Sequence, residues 1–261
     1  MLANYHMHTN YSDDSSFELE ELIKTAISYK LDEICITDHL DCLTNEQNCF
    51  PLSRYRDDIQ YFQKKYSNQI KIKMGMEFGM QRGTIDLFNK IFSQLPFDFI
   101  LMSCHLIDDK WLFNQSFQNN KTQDEYNRKY YEEILYLTNH FDHYSVLGHL
   151  DVIRRYDPKG DYPFEKVADI IEKILKRVIA QNKGIELNTS SYRYRLEDTM
   201  PSSHILQMYK DLGGEIITVG TDSHCPSHVN CGLEEAYKTL KKFGYKKYCT
   251  FDKMEPIFHK L

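Results

Sequence analysis

Histidine and carboxylate side chains recur in this 261-residue chain just after short apolar runs. His6 and His8 close the first run, Asp38 and His39 follow the second, and Glu77 follows the third. His105 and His149 stand after the fourth and fifth, Glu186 and Asn188 after the sixth, and Asp222 and His224 after the seventh. Six of the 11 histidines fall at these ends, a concentration that scattered core or surface histidines would not produce. Residues i and i+2 of a strand project to the same face, so His6 with His8, and Asp222 with His224, each offer two donors to one ion. Imidazole and carboxylate without thiolate suit Zn²⁺, Mn²⁺ or Fe²⁺, and their common affinity order leaves the choice among them open.

The elements that must carry these groups read as alternating short apolar and longer amphipathic segments, the pattern of βα units. Seven strands are expected, at Leu2–His6, Glu33–Thr37, Ile70–Met76, Phe97–Ser103, Tyr144–Gly148, Gly184–Leu187 and Glu215–Gly220. Helices are expected over Phe17–Lys30, with Ser15 and Glu18 spaced as a capping box, over Phe164–Gln181, and over Pro201–Leu212, with Gly213 as a stop signal. The polar stretch Asn114–Gln123 is expected to be the most mobile loop, and without a Pro-, Gly- or Ser-rich linker residues 1–261 read as one domain. Parallel strands joined by right-handed crossovers close into barrels whose working groups lie at the carboxyl ends of the strands, where these residues stand.

Composition narrows the function. Hydrophobic residues make up 41% and charged residues 27%, which excludes disordered and collagenous classes. A formal charge of −6 supplies no general cationic field for duplex DNA, so a nucleic-acid partner is not expected. The segment MLANYHMHTNYSDD lacks the features of a signal peptide, and no window approaches the roughly 18 apolar residues of a membrane span, so a cytoplasmic protein without a membrane partner is expected. The seven cysteines form no CxxC pair and are expected to stay reduced.

The segments HMH, ITDH, the Glu after the third strand, SCH, GHLD, ELNTS and GTDSH, in this order, resemble the PHP phosphoesterase family across nearly the whole chain. YSDDSS, GHLDVIRRY and ELNTSSYR are most similar to its histidinol-phosphate phosphatase branch. The resemblance implies a distorted, TIM-barrel-like (β/α)7 fold with a site for three divalent metal ions. It implies His6, His8, Glu77 and Asp222 on one ion, Glu77 bridging to a second held by His105 and His149, and His39 and His224 on a third. Asp13 is preferred as the carboxylate completing that third set, with Asp14 the alternative; both are also good helix-cap residues. The implied reaction is hydrolysis of L-histidinol phosphate by a hydroxide bridging two ions, with Glu77, Asp222 and His224 as catalytic residues and the leaving-group proton coming from Asp222 or a metal-bound water. A nuclease or nucleotide phosphoesterase with the same metals, or a metal-binding module without activity, are the competing classes.

Other conspicuous residues have simpler readings. Asp38, Glu186 and Asn188 are expected to hydrogen-bond the ligating histidines. Cys104 and Cys225 read as buried structural thiols. His140, His143, His204, His228 and His259 lie outside the strand-end pattern, with His228 nearest the mouth, and Lys241, Lys242, Lys246 and Lys247 read as a solvated helix face and turn. Tyr192 and Tyr194 stand where they can pack on a substrate ring. A dianionic phosphate beside so many carboxylates calls for a guanidinium fork, and Arg155 and Arg193 are the expected contacts, with Arg154 and Arg195 as competitors. Oligomeric state is not legible.

Overall fold

The computed structural model describes residues 1–44 and 50–261. Seven parallel strands, Ala3–Asn4, Glu33–Ile36, Lys71–Gly79, Phe99–Ser103, Val146–Leu147, Gly184–Asn188 and Ile217–Gly220, pair in chain order. The first and last strands then meet: Tyr5 N–H donates to Val219 O at 2.9 Å, Asp222 N–H to His6 O at 2.9 Å and His8 N–H to Ser223 O at 2.8 Å. The sheet is therefore a nearly closed barrel, as the alternating pattern demands. Apart from Lys71 and Lys73 at the start of the third, its strand residues are buried, so the strands read as apolar runs rather than alternating ones.

Several boundaries differ from expectation. The third strand runs to Gly79, so Glu77 sits inside the ladder, opposite Leu101 on the next strand. The second strand stops at Ile36 and resumes as His39–Asp41, which pairs with the same neighbour in the register His39↔Glu77. The helix expected from Phe17 begins at Leu19, burying Leu19, Leu22, Ile23 and Ala26. Its capping box does not form: Glu18 is the N-cap without a side-chain bond, while Ser15 Oγ donates to His224 O at 3.2 Å. The Phe164 segment opens as a 3-10 turn before the helix Ala168–Ala180, and the Pro201 segment becomes helical over Ser203–Asp211.

The Asn114–Gln123 stretch is a chain of turns rather than a free loop. Phe117 and Gln118 are buried, and Gln118 Nε2 donates to Leu112 O and Tyr156 O at 3.2 and 3.3 Å. A hairpin not expected from the sequence, Lys247–Asp252 with Glu255–Lys260, closes the amino end of the barrel, so Lys247 belongs to a strand and not to an exposed turn. Phe251 packs there on Phe99 with ring centroids 5.1 Å apart, and Met254 N–H donates to Asp98 O at 2.9 Å. None of the six cysteines among the described residues is in a disulfide, but Cys225 is half-buried, because the turn Pro226–His228 carries it out of the strand direction.

Candidate metal centre

At the carboxyl end of the barrel the strand-end residues converge. His6 Nε2 lies 3.1 Å and His8 Nε2 3.5 Å from Glu77 Oε2, and the same nitrogens lie 3.6 and 3.4 Å from Asp222 Oδ1. The other Glu77 oxygen, Oε1, is 2.9 Å from His149 Nε2 and 3.3 Å from His105 Nε2, and those two nitrogens are 3.4 Å apart. Donors on a tetrahedron with bonds of about 2.0–2.1 Å are about 3.3–3.4 Å apart, so both sets are spaced like metal ligands. A third set joins His39 Nε2 and His224 Nε2, which lie 2.9 and 3.3 Å from Asp14 Oδ1.

The geometry favours Asp14 in this third set. Asp13 is 90% exposed, with Oδ1 3.8 Å from His39 Nε2. Neither aspartate caps the following helix, which starts at Leu19. The loop between them and the first strand is fixed by buried Asp38, which accepts from Thr9 N–H at 2.6 Å, Thr9 Oγ1 at 2.8 Å and Ser12 Oγ at 2.8 Å. Asp38 thus acts on the histidines through Ser12, whose Oγ is 3.2 Å from His8 Nδ1, rather than by direct contact.

The Nδ1 atoms of five of the six histidines are held from behind, which leaves their Nε2 facing the centre, whereas His149 Nδ1 is buried with no hydrogen-bond partner among the described residues. His6 Nδ1 meets Glu186 Oε1 at 2.7 Å, and Glu186 Oε2 accepts from His149 N–H at 2.9 Å and Asn188 Nδ2 at 3.0 Å. Asp41, which the sequence reading passed over, places one oxygen 2.8 Å from His105 Nδ1 and the other 3.0 Å from His39 Nδ1. Its signal is the His39–Asp41 i,i+2 spacing, visible only once that stretch is known to be a strand. Two glycines leave room for these carboxylates: a Cβ on Gly79 would lie 1.7 Å from Asp41 Oδ1, and one on Gly220 2.1 Å from Glu186 Oε1.

The residues fit divalent ions. His8 Nε2 is buried and has no hydrogen-bond partner among the described residues despite the carboxylates around it, a cost that an ion among these donors removes. The charges are mutually dependent. Burial alone would depress His6 and His39, yet Glu186, Glu77 and Asp222 around His6, and Asp14 and Asp41 around His39, hold both well above the usual histidine value. His8, buried beside His224, is pushed down to about 3. Burial would raise Glu77 and Asp222, but neighbouring histidines reverse this and hold both well below the carboxylate range. The Asp222 backbone is left-handed, φ 54°, a strained conformation of the kind that accumulates at functional sites.

Above this floor opens a cavity of about 620 Å³, lined by Arg155, Arg193, Tyr156, Tyr194, Trp111, Phe113 and His228 as well as the ligands. Arg155 Nη2 donates to Asp222 Oδ2 at 3.2 Å and to Ser190 Oγ, and its guanidinium lies 3.9 Å from the Tyr194 ring centroid. Arg193 donates from Nη1 to Thr221 O at 2.7 Å and from Nη2 to Asp222 O at 2.8 Å, clamping the strained turn. Arg154 instead pairs with Asp151 at 3.2 Å and Asp161 at 3.1 Å, and neither it nor Arg195 lines the cavity. Tyr192 packs towards Gly232, away from the cavity. Trp111 and Phe113, missed in the sequence, arrive on a hairpin formed by Leu106–Ile107 and Lys110–Trp111, whose turn residues Asp108 and Asp109 are both left-handed.

A PHP domain model matches residues 4–190. This chain belongs to the PHP family. The PHP chain is 32% identical to a curated histidinol-phosphatase of Lactococcus lactis, over 97% of this chain and 95% of that protein. It is 28% identical to a probable histidinol-phosphatase of Thermotoga maritima, over 94% of each. It superimposes with a TM-score of 0.90, at 31% identity over 98% of both chains, on the crystal structure of histidinol phosphate phosphatase from Lactococcus lactis complexed with zinc, L-histidinol and phosphate.

Proposed function

We infer that this PHP chain is a histidinol-phosphatase, a phosphoric monoester hydrolase that converts L-histidinol phosphate to L-histidinol and phosphate in histidine biosynthesis. The observation that carries this reading is the complete set of converging donors around Glu77, in a chain similar over 98% of its length to a structure holding zinc, L-histidinol and phosphate. His6, His8, Glu77 and Asp222 would hold one divalent ion, Glu77, His105 and His149 a second, and His39, His224 and Asp14 a third; zinc, manganese and iron all suit these donors. Such ions supply a nucleophilic water at neutral pH and neutralise the charge of the phosphoryl group.

The chain's own residues do the rest. Glu77 joins two donor sets through its two oxygens, so their spacing is built into one side chain. Asp222 and His224 present their donors to different sets, Asp222 beside His6 and His8 and His224 beside His39, from the strained turn that Arg193 clamps. Arg155 is 8% exposed; burial works against its charge, but Asp222 outweighs burial and the guanidinium stays firmly protonated. The guanidinium lines the cavity beside the ligands, where its fork can meet a phosphoryl oxygen. The cavity is a compact pocket rather than a long cationic groove, which suits a small phosphate ester in preference to a nucleic-acid strand. No helix among the described residues is long and apolar enough to cross a membrane, and we place the enzyme, as one barrel domain, in the cytoplasm.

Phosphate release from a panel of monoesters and diesters, before and after chelation and with Zn²⁺, Mn²⁺ or Fe²⁺ restored, tests the reading. L-Histidinol phosphate is expected to give the highest kcat/KM, with chelation abolishing turnover. Preference for a phosphodiester, or full turnover by protein shown to lack metal, would overturn it.

A further inference from the structure

Arg155 serves a phosphoryl group only if its guanidinium stands at a fixed angle to the metal floor, and its neighbours hold it there. Tyr194 fixes the plane, with its ring centroid 3.9 Å from the guanidinium carbon. Rotation within that plane is set at Nη2, which donates to Asp222 Oδ2 at 3.2 Å and to Ser190 Oγ. Asp222 also faces His6 and His8 in a donor set for metal, whereas Ser190 has no such second duty. A hydroxyl orients a guanidinium without neutralising it, so the charge stays available to an anionic ligand.

Ser190 is itself held from behind. It opens the turn Ser190–Arg193 just after the sixth strand and is fully buried. Its Oγ donates to Asn188 Oδ1 at 2.5 Å, and Asn188 Nδ2 donates to Glu186 Oε2 at 3.0 Å. Glu186 is the carboxylate behind His6, with Oε1 2.7 Å from Nδ1. A guanidinium offers only donors and a carboxylate only acceptors, so the chain runs in a single direction, from Arg155 through Ser190 and Asn188 to Glu186. The turn does not depend on the hydroxyl, because Ser190 N–H makes its own bond to Asn188 Oδ1 at 2.9 Å. Removing the hydroxyl therefore releases Arg155 while the backbone stays pinned.

We propose that Ser190 is the positioning residue for Arg155: its hydroxyl sets the angle at which the guanidinium meets the phosphoryl group, and Asn188 and Glu186 tie that angle to the frame that orients His6. The proposal rests on the phosphomonoesterase reading and adds what aims its phosphate contact. Without the hydroxyl, Nη2 is no longer shared between Ser190 and Asp222, and the guanidinium turns towards the carboxylate and away from the phosphate.

The test measures binding of inorganic phosphate and hydrolysis of L-histidinol phosphate by metal-loaded Ser190→Ala, Ser190→Cys and Ser190→Thr, each made in wild type and in Arg155→Ala. In wild type, Ser190→Ala should weaken phosphate binding and raise KM by a factor of about three to thirty with metal content preserved. Ser190→Thr keeps the hydroxyl and should recover most of that loss. Ser190→Cys, nearly the same size but a weak acceptor, should reproduce the loss even where the alanine variant yields little folded protein. In Arg155→Ala the same substitutions should change phosphate binding by less than about twofold, since the group they position is gone. Unchanged phosphate binding in both the alanine and cysteine variants, equal losses in the two backgrounds, or a loss matched by lost metal would overturn the proposal. Failure of the wild type to hydrolyse L-histidinol phosphate would instead overturn the functional reading, and the phosphate titrations would then decide the role of Ser190 by themselves.

Discussion

Each oxygen of Glu77 faces a different pair of histidines, so Glu77→Gln weakens two donor sets at once. Elemental analysis should show a larger metal loss, and phosphate release a larger drop, than for His105→Ala or His224→Ala. Asp41→Asn removes the charge that orients both His39 and His105 and should lower metal affinity by about 10- to 100-fold, measured by competition with a chelator. The two arginines separate. Arg155→Ala should lower kcat/KM by about 1.5–3 kcal/mol of transition-state stabilisation with metal content near wild type, because its guanidinium lines the cavity without holding the turn's backbone. Arg193→Ala should lower both activity and metal content, since its guanidinium holds the Thr221 and Asp222 carbonyls. The types of these residues were legible in the sequence, and so was the candidacy of Arg155 with Arg154 as its competitor. Which arginine turns inwards was not, because the 3-10 turn Val152–Tyr156 sends Arg154 to Asp151 and Arg155 to Asp222.

At the level of elements, the strand ends carry the centre, and the glycines within them decide whether its outer carboxylates fit. Gly220→Ala puts a methyl 2.1 Å from Glu186 Oε1 and 2.3 Å from His6 Cβ, and Gly79→Ala puts one 1.7 Å from Asp41 Oδ1. Either substitution should cost about 1–3 kcal/mol of stability by overpacking and should release metal, read by denaturant unfolding and elemental analysis of the same samples. The seven strands were evident as apolar runs because both faces of a closed parallel sheet are covered. The His39–Asp41 strand escaped notice because Thr37 and Asp38 interrupt the pairing, and the hairpin carrying Trp111 because its Asp108–Asp109 turn lacks the glycine that usually marks one.

For the whole molecule, the barrel separates stability at its amino end from chemistry at its carboxyl end. Phe251→Ala, in the hairpin that plugs the amino end against Tyr5 and Phe99, should cost about 3–5 kcal/mol while activity per bound metal stays near wild type. The centre itself couples metal to pH. In the metal-free protein burial works to depress His105, but Asp41 and Glu77 raise it from 6.5 to about 10. Its proton therefore stabilises the metal-free fold fully below pH 6.5, and that contribution fades as pH rises towards about 10. A metal must displace this proton, so the rise in Tm on adding Mn²⁺ should grow between pH 6.5 and 9, as thermal scans with and without the ion will show. A shift independent of pH would contradict the arrangement around His105.

The sequence by itself determined the barrel class, the strand ends and the chemical types gathered there, because strand periodicity and the carboxyl-end rule are local and directional. It also carried the PHP resemblance, through segments that each lie within a few residues. Tertiary structure alone decided which oxygen meets which nitrogen, since His6, Glu77, His149 and Asp222 come from four different strands and meet only on barrel closure. It likewise turned Asp14, not its neighbour, between His39 and His224, and set Trp111 and Phe113 at the mouth. Loop side chains take their direction from the contacts around them, and those contacts come from distant parts of the chain.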